Sequence, residues 1–346
     1  MIEIVALSDA MREAIGLAER VAPTNANVLI TGESGAGKDA LASFIHGRSA
    51  RADAPLVKID CATLPADLLE AELFGYERGA FTGATDGKPG RLEAAHRGTL
   101  VLDEIAHLSL DAQAKLLRVI ERREFERLGG RKTIEVDARL IALTNADLQQ
   151  AVERRAFRDD LFYRLNVVHI AVPPLRERRR DFAVLVHSLM AAYAAKHGRA
   201  VRSLSREAHD LLLAYEFPGN VRELANIIER AVIVCEAAEL EAGDLPEVVR
   251  FAAGQRARKQ RRPTLAEVEA DYIRETLVAT RGNKSEAAKI LGISRKNLYE
   301  RLAREEAEAG SQRAEGRGQK AEVRENGLPG GPLDDLSDPG EQDADI

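Results

Sequence analysis

A glycine-rich segment near the N-terminus combines residue types that can bind a nucleotide. It follows the apolar run Val28–Thr31, which predicts a strand, and precedes a stretch that predicts a helix. Its glycines let backbone N–H groups converge on phosphate oxygens, while a helix N-terminus and a lysine ammonium favour the anion. An ordinary glycine-rich turn is the alternative, and the lysine at this spacing argues against it. The residues of this phosphate loop are Gly32, Glu33, Ser34, Gly35, Ala36, Gly37 and Lys38.

The position after Lys38 departs from the usual phosphate-loop pattern. A serine or threonine commonly stands there and places its hydroxyl on Mg²⁺, whereas this chain has Asp39. The residue type leaves open whether this position coordinates the metal.

A second nucleotide signal is the acidic pair Asp103 and Glu104, which ends the apolar run that begins at Thr99. A carboxylate at the end of such a strand can hold Mg²⁺, directly or through water, and we assign this role to Asp103. Glu104 can orient or deprotonate the water that attacks the phosphate. Two acids after one strand are common, but here they lie about 65 residues beyond Lys38. Together the two motifs predict a nucleoside triphosphatase.

The elements that must position these motifs alternate between short apolar runs and helical stretches from about residue 5 to 172. Nearly continuous apolar strands separated by helices predict a parallel sheet covered on both faces, and hence an α/β fold. Residues 175–247 contain helical runs, which predict a small helical domain, and Asn220 with Glu223 predicts an N-cap and its partner there. The strand candidates are Val28–Thr31, Leu56–Asp60, Thr99–Asp103, Leu140–Thr144 and Val167–Ala171.

The bulk composition is that of a globular protein. The 346 residues, 45% of them hydrophobic and 31% charged, are enough for two or three domains. The two cysteines, Cys61 and Cys235, are far apart, which disfavours a disulfide framework or a zinc site and predicts core thiols in a reducing cytoplasm. No apolar run approaches the roughly 20 residues of a membrane span, and the N-terminus lacks the features of a signal peptide. We therefore expect a cytoplasmic protein without membrane contact.

Charge is distributed unevenly along the chain, although its net value is only −6. Residues 281–304 carry seven Lys/Arg and two Glu, a net of +5, whereas residues 305–346 carry twelve acidic and four basic residues, a net of −8. This asymmetry is typical of a polyanion-binding module with a solvated appendage, although two unrelated solvated stretches would look the same. Residues 250–262 hold six basic residues and no acid, which predicts a linker. Beyond about residue 306 the composition predicts disorder.

The basic segment has the pattern of a helical hairpin. Ala288 and Gly292 allow two helices to approach closely, and Ser294 can cap the second helix. A hairpin without a DNA-binding role is the alternative that the pattern leaves open. The predicted core residues are Ile290, Leu291, Ile293, Leu298 and Leu302.

The segment Glu72–Ala84 resembles the signature of the sigma-54-dependent transcriptional activators, a family of bacterial enhancer-binding AAA+ ATPases. The resemblance implies a surface loop that engages the sigma factor, with Phe81 as an apolar anchor and Thr82 as a polar contact. The segment Glu124–Gly130 is similar to the second surface loop of the family, which assists the first. The six central residues of the signature are complete in this chain as Gly79, Ala80, Phe81, Thr82, Gly83 and Ala84.

Other segments resemble the nucleotide-handling parts of the same family. The resemblance implies that Thr144 and Asn145 sense the γ-phosphate and that Arg222 reaches toward the phosphates from a helical lid. Arg158 and Arg164 lie in a segment similar to the one that supplies arginine fingers, which act on the nucleotide of the neighbouring subunit. Taken alone, either arginine could be a solvated residue of a helix.

One residue departs from the family pattern at the switch between the nucleotide site and the loop. The family usually has Asn at the end of the second strand, where it couples the catalytic glutamate to the sigma-contacting loop, and this chain has Asp60. A carboxylate near Glu104 interacts differently from an amide, so either Asp60 is protonated or the switch is altered. We expect ATP hydrolysis to be retained, whereas the effect of Asp60 on coupling between the nucleotide site and the sigma-contacting loop stays open.

The helical hairpin is similar to the Fis-type helix-turn-helix of the same family. The resemblance implies an exposed recognition helix that faces major-groove bases or phosphates. It also implies that the helix beginning near Thr264 pairs with a second copy and that the dimer binds two half-sites. The candidate DNA-binding residues are Ser294, Arg295, Lys296, Asn297 and Arg301.

The resemblance spans about residues 5–305 and implies an AAA+ parallel-sheet ATPase with a helical lid and a small all-α helix-turn-helix domain. The expected function is ATP-driven remodelling of the sigma-54 RNA polymerase closed complex, with ATP and Mg²⁺ as cofactors. The expected partners are the polymerase holoenzyme, enhancer DNA and further copies of the chain, up to a hexameric ring. The alternatives are a DNA-binding regulator whose ATPase core is only a scaffold, and another AAA+ remodelling motor. The expected boundaries are 1–172 (α/β), 173–247 (lid), 248–263 (linker), 264–305 (helix-turn-helix) and 306–346 (tail).

Family members commonly carry a receiver or ligand-sensing domain ahead of the ATPase, whereas this sequence begins almost directly with the ATPase. Control by a partner protein acting in trans, control by expression level, and a truncated chain are all compatible with that start.

Overall fold

The structure is a computed structural model that describes residues 4–251 and, beyond them, residues 269, 270, 272, 273, 276, 277, 280, 283–299 and 301. Its internal contacts divide the chain into two compact units, Met1–Arg256 and Ala257–Ile346. The predicted acidic tail and most of the predicted linker lie outside the described residues.

The centre of the first unit is a parallel sheet of five strands, in the order β2 (Leu56–Asp60), β5 (Thr99–Asp103), β8 (Arg139–Thr144), β1 (Val28–Thr31) and β9 (Val168–Ala171). The predicted α/β fold is therefore confirmed, with small shifts at the starts of β8 and β9. Because the strands are parallel, their carboxyl ends meet at one edge of the sheet. In chain order the strands are β1 Val28–Thr31, β2 Leu56–Asp60, β3 Gly75–Tyr76, β4 Lys88–Pro89, β5 Thr99–Asp103, β6 Glu124–Glu126, β7 Thr133–Glu135, β8 Arg139–Thr144, β9 Val168–Ala171, β10 Ser203–Leu204 and β11 Glu239–Leu240.

Helices cover both faces of this sheet, because successive side chains of a strand point to opposite sides. Leu29 and Leu100 pack toward α3 (Ala66–Phe74), α5 (Leu110–Arg122) and α7 (Asp159–Leu165). Ile30 and Val101 pack toward α1 (Asp9–Val21) and α2 (Lys38–Gly47) on the other face. The α-helices of this unit with defined bounds are α1 Asp9–Val21, α2 Lys38–Gly47, α3 Ala66–Phe74, α4 Arg91–Ala94, α5 Leu110–Arg122, α6 Leu148–Glu153, α7 Asp159–Leu165, α8 Arg179–His197, α9 Arg206–Ala214 and α10 Asn220–Val234. Each fully buried large apolar side chain contributes about 1.5–3 kcal/mol, so the strand ends that carry the motifs rest on a rigid support.

Helices α8, α9 and α10 form a lid with its own apolar core, in which Leu189, Leu224 and Ile228 are buried. The parallel pair β10–β11 also belongs to this part of the chain, and the sequence pattern missed it because two-residue strands have no periodicity. The predicted N-cap is wrong by one residue. Gly219 occupies the N-cap position of α10, and Asn220 begins the helix with a φ of 53°.

The second unit contains the predicted helical hairpin. Asn283 caps the helix Lys284–Ile290, and Gly292 makes the turn with a φ of 66°. The predicted cap at Ser294 is confirmed, since its Oγ accepts the N–H of Asn297 at 3.2 Å where helical residues 295–299 begin.

The small core of this hairpin differs from the predicted one at one position. Ala287, Ala288 and Leu298 are buried, and Leu291 and Ile293 pack against them, whereas Ile290 is 55% exposed. The core assignment of Ile290 is wrong because it lies two residues after Ala288, about 200° around the helix. Leu302 lies outside the described residues. Nowhere in the described chain is there a helix with the length and apolar character needed to cross a bilayer.

Candidate functional site

The phosphate loop connects β1 to α2 and is closed by its own lysine. The Lys38 ammonium donates hydrogen bonds to the carbonyl oxygens of Gly32 at 2.8 Å and Glu33 at 3.3 Å. Lys38 is only 6% exposed, and its Nζ lies 3.6 Å from Glu104 Oε1. A buried cation thus stands at the N-terminus of a helix, which is the arrangement that attracts a phosphate group.

Glu104 leaves the end of β5 in an unusual backbone conformation. Its φ of 51° and ψ of 50° are left-handed, which costs about 1–3 kcal/mol for a non-glycine residue and is often found at functional sites. This turn brings Glu104 Oε2 to 3.1 Å from the backbone nitrogen of Asn145, which follows β8. The fully buried Thr144 accepts the N–H of Gly32 with its carbonyl oxygen at 3.3 Å. The structure thereby brings together predicted site residues from three separate motifs.

A lysine that sequence reasoning missed lies between the two candidate metal ligands. Lys58 donates a hydrogen bond to Asp103 Oδ2 at 3.1 Å and forms an ion pair with Asp39. Partial burial lowers the pKa of the Lys58 ammonium, but its hydrogen bonds to Asp39 and Asp103 outweigh that effect and raise the pKa above its ordinary value. The available signal was a charged residue inside an otherwise apolar strand, two positions before Asp60 and hence on the same face.

The carboxylates of Asp39 and Asp103 fit a magnesium ion. Both reach the same cationic group, and carboxylate oxygens are ligands that Mg²⁺ prefers. Within the described residues no group of three or more His, Cys, Asp or Glu side chains could enclose a metal. In phosphoryl-transfer enzymes, Mg²⁺ is commonly held by one or two carboxylates together with substrate phosphates and water.

Asp60 lies beside Asp103 and forms no hydrogen bond with Glu104 among the described contacts. It pairs with Asp103 in the register of β2 and β5, and its Oδ1 accepts the N–H of Ala62 at 2.9 Å. The next residue, Cys61, is a buried free thiol, and burial together with the Asp60 charge raises its pKa to about 12. Cys235 is also buried and free, so the prediction of two core thiols is confirmed.

The lid closes over the phosphate loop through several polar contacts. Arg222 Nη1 donates to Ser34 Oγ at 2.9 Å. Asn220 donates to Glu33 Oε2 at 3.0 Å, and Arg176 binds both Glu33 oxygens at 2.6 and 2.8 Å. Hydrogen bonds from Arg176 and then Asn220 lower the pKa of Glu33 to about 2. Sequence reasoning found Arg222 but missed Arg176, which carries no motif of its own.

At Gly35 the lid backbone approaches the phosphate loop closely. The φ of Gly35 is 74°, and a Cβ there would lie 2.3 Å from the carbonyl oxygen of Gly219. The Gly35 carbonyl in turn accepts the N–H of Val221 at 3.0 Å. Any side chain at this position would push the lid away from the loop.

The two candidate finger arginines lie on or next to α7 and are paired within their own chain. Arg158 binds Asp160 at 2.7 Å, and Arg164 binds Glu121 at 3.2 Å. Their neighbour Tyr163 is 72% exposed. Both side chains are therefore engaged in ion pairs within their own chain.

The first surface loop, Gly79–Ala84, is closed by a hydrogen bond from the N–H of Gly79 to the carbonyl of Ala84 at 2.8 Å. Phe81 is 43% exposed, and its ring meets the edge of the Tyr76 ring at a centroid distance of 5.0 Å. Thr82 and Gly83 are exposed. The loop therefore presents one aromatic ring and one hydroxyl at the surface.

The second surface loop, Glu124–Gly130, supports the first. Gly129 has a φ of 69°, and a Cβ there would lie 2.9 Å from Ala80 Cα, so the two backbones are in close contact. Arg127 binds Glu77 at 3.1 Å and Glu93 at 2.7 Å. Sequence reasoning identified this loop only by resemblance and did not identify Arg127, since its partners are distant in sequence.

The candidate DNA-binding residues lie at the start of the second helix of the hairpin. Arg295, Lys296 and Asn297 are exposed, whereas Ser294 serves as the helix cap. Arg301 is half-buried and forms an ion pair with Glu269. Four of the five candidates, Ser294 among them, are thus exposed, while Ser294 and Arg301 also serve the hairpin itself.

Three family models match consecutive parts of the chain. They are a sigma-54 interaction domain over residues 4–171, an AAA+ ATPase lid domain over residues 176–262 and a bacterial regulatory protein domain of the Fis family over residues 264–304.

Whole-chain comparisons agree with these matches. The transcriptional regulatory protein FlbD of Caulobacter vibrioides is 44% identical over 325 residues, which cover 89% of this chain and 71% of FlbD. The regulatory protein AtoC of Escherichia coli K12 is 44% identical over 310 residues, which cover 86% of this chain and 67% of AtoC. A crystal structure of NtrX from Brucella abortus in complex with ATP superposes with a TM-score of 0.67 at 38% identity, over 88% of this chain and 69% of NtrX. The chain therefore belongs to the sigma-54-dependent transcriptional activators, in which an AAA+ ATPase domain and its lid are joined to a Fis-type helix-turn-helix.

Proposed function

We propose that this protein binds enhancer DNA and uses ATP hydrolysis to remodel the sigma-54 RNA polymerase closed complex into the open complex. The exposed first surface loop supports this function most directly, because its complete Gly79–Ala84 segment stands on the domain that holds the nucleotide site. The structure of NtrX with ATP, at 38% identity, supports ATP as the nucleotide.

In the proposed hydrolysis step, Lys38 neutralises the β- and γ-phosphate oxygens and Glu104 accepts a proton from the attacking water. The water oxygen bonds to the γ-phosphorus while the bond to the bridging oxygen breaks. Asp103, with Asp39, would hold Mg²⁺, which neutralises charge on the phosphates. Asn145 and Arg222 contact the phosphates from the sheet and the lid. The 3.6 Å between Lys38 and Glu104 supports a single site for these roles.

The site is completed by a second copy of the chain. Arg164 and Arg158 are proposed to reach the nucleotide of the neighbouring subunit, where an arginine finger accelerates phosphoryl transfer by about 10³–10⁵-fold. Each must leave its partner, Glu121 or Asp160, to do so. Assembly into a ring, a hexamer by family resemblance, therefore exchanges intrachain ion pairs for contacts with phosphate.

Coupling to transcription is assigned to the two surface loops. Phe81 and Thr82 contact sigma-54, and the second surface loop transmits changes at the nucleotide site through its contact with Ala80. Asp60, in place of the usual Asn, adjoins Asp103 in the sheet and modifies this transmission.

The helix-turn-helix unit is assigned to enhancer DNA. Exposed Arg295, Lys296 and Asn297 provide phosphate and base contacts, and a dimer matches two half-sites. DNA binding raises the local concentration of the ATPase near the promoter. The proposed divisions are 1–172 for the α/β ATPase part, 173–247 for the lid, 248–263 for the linker, 264–305 for the DNA-binding domain and 306–346 for the tail, all in the cytoplasm.

The test is open-complex formation on a sigma-54 promoter with purified holoenzyme, comparing ATP with a non-hydrolysable analogue. Open complexes with ATP alone are expected. ATP hydrolysis without promoter opening, even with enhancer DNA present, would contradict the remodelling of the polymerase complex. It would favour the alternative of an AAA+ motor that remodels a different substrate. A protein that binds DNA without hydrolysing ATP is a scaffold.

A further inference from the structure

The ammonium group of Lys58 lies beside the carboxylates that fit Mg²⁺ in the nucleotide site. It lies on β2, and its ammonium spans the gap between Asp39 at the start of α2 and Asp103 at the end of β5. Lys58 and Asp60 are two residues apart on one strand, so they share a face of the sheet. Three secondary-structure elements thus converge on one ammonium group.

The charges around the Lys58 ammonium indicate its role. Asp39, Asp103 and Glu104 bring three carboxylates to the phosphate-binding edge of the sheet. Lys38 lies 3.6 Å from Glu104 and balances the charge of that carboxylate. Without Lys58, Asp39 and Asp103 would face each other with no nearby cation among their described partners. Two carboxylates that share a site repel each other strongly. Lys58 therefore holds the two carboxylates toward one point.

That point is also where a magnesium ion would have to bind, since Asp39 and Asp103 are the carboxylates that fit it. A lysine ammonium and Mg²⁺ are both hard cations that prefer carboxylate oxygens. The side chain of Lys58 is 44% exposed and flexible, so it can move aside without unfolding its strand.

We propose that Lys58 is a positioning residue that acts as a tethered counter-cation, keeps Asp39 and Asp103 aimed at the metal position and competes with Mg²⁺ for them. The proposal rests on the nucleotide site proposed above. Lys58 sets the Mg²⁺ concentration that the site requires, and it maintains nucleotide binding when Mg²⁺ is scarce.

Replacement of Lys58 by methionine, which is similar in length and uncharged, tests this role. Binding of N-methylanthraniloyl-ADP is measured by fluorescence on the full-length protein, in EDTA and across a series of buffered free Mg²⁺ concentrations. A neighbouring opposite charge changes the equilibrium constant for binding a cation to a carboxylate by about 10- to 1,000-fold. Because Lys58 is half-exposed, we expect a change near the lower end of this range. In Lys58→Met we expect the half-saturating Mg²⁺ to fall about tenfold and the affinity in EDTA to fall about tenfold.

Two control variants separate charge from structure. Lys58→Arg keeps the charge and should behave as wild type. Lys115→Met removes a lysine of similar exposure that pairs with Glu70 on α3, and it should change neither value. If Lys58→Met does not fold, Lys58→Gln removes the same charge with a polar side chain.

The outcomes distinguish the possible failures. A purely structural role for Lys58 would weaken nucleotide binding equally with and without Mg²⁺, which would overturn the proposal. An unchanged or higher half-saturating Mg²⁺ in Lys58→Met would overturn it as well, and the nucleotide site would stand. If the wild-type protein bound no nucleotide in Mg²⁺, the proposed site and the role of Lys58 would fall together.

Discussion

Asp181 joins the lid to the α/β part through a fully buried carboxylate. It accepts hydrogen bonds from the backbone nitrogens of Leu7 at 2.5 Å and Ser8 at 2.7 Å, from Ser8 Oγ at 2.8 Å and from Arg178 Nε at 2.9 Å. Arg178, also buried, donates to the carbonyl oxygens of Ala36 at 3.3 Å and Val5 at 2.9 Å. One ion pair therefore connects the lid, the phosphate loop and the segment before α1.

Replacement of Asp181 by alanine should be strongly destabilising. It leaves the Arg178 guanidinium buried without a counter-ion and removes the acceptor of three further donors. Breaking one side of a buried ion pair costs about 3–5 kcal/mol. At about 2–4 °C per kcal/mol for a domain of this size, the unfolding temperature should fall by about 6–20 °C.

Thermal unfolding followed by far-ultraviolet circular dichroism measures this change, since the chain has no tryptophan. Asp9→Ala is the matched control, because Asp9 also pairs with an arginine of α8, Arg180, but its side chain is 80% exposed. Exposed pairs contribute about 0–1 kcal/mol, so the control should melt close to wild type. Equal melting temperatures for Asp181→Ala and Asp9→Ala would refute the assignment of Asp181 as the central contact of the lid.

The pH dependence of the same variant provides a second check. Burial raises the pKa of Asp181, but the hydrogen bonds from Arg178, Ser8 and Leu7 outweigh it and lower the pKa below the ordinary value of 3.8. The stabilisation is therefore fully present above pH 3.8 and is lost only as the pH falls through the lower, folded-state pKa. The difference between wild type and Asp181→Ala should be constant near neutrality and shrink only in acid.

Three further predictions concern the ATPase cycle. Glu104→Gln should retain nucleotide binding but lower phosphate release by about 10²–10⁴-fold, the usual contribution of a general base; undiminished hydrolysis would exclude Glu104 as the base. Arg164→Ala should also be inactive alone, yet a mixture of the two variants should regain activity, because an intact Glu104 then meets an intact Arg164 across the interface. No recovery on mixing would contradict action in trans. Thr82→Ala should hydrolyse ATP normally but form no open complexes, and normal promoter opening would show that the loop assignment is wrong.

Local sequence determined much of the architecture. The apolar runs of β1, β2 and β5 are short, bounded by polar residues and separated by helical stretches, so their pairing into a parallel sheet followed from residue order. The phosphate loop and the acidic pair after β5 could be identified for the same reason, since each motif is contiguous. The carboxyl ends of parallel strands must share an edge, and the convergence of Lys38 with Glu104 could be expected.

Side chains whose roles depend on partners distant in sequence could not be assigned in this way. Lys58 appeared only as a polar interruption of a strand, and its position between Asp39 and Asp103 became visible once three elements were packed together. The same holds for Arg176, which binds Glu33 across 143 positions of the chain. The misplaced cap at Asn220 has a related cause, because its amide contacts Glu33 and Ser34 instead of its own helix.

The sequence by itself determined the order of the elements and the positions of the nucleotide-binding motifs, because hydrophobic periodicity and contiguous motifs are local properties of the chain. Only the tertiary structure decided which charges oppose each other, how the lid is attached to the phosphate loop and which loop supports the Gly79–Ala84 segment. The physical reason is that ion pairs and hydrogen bonds act over a few ångströms, so their partners are selected by packing.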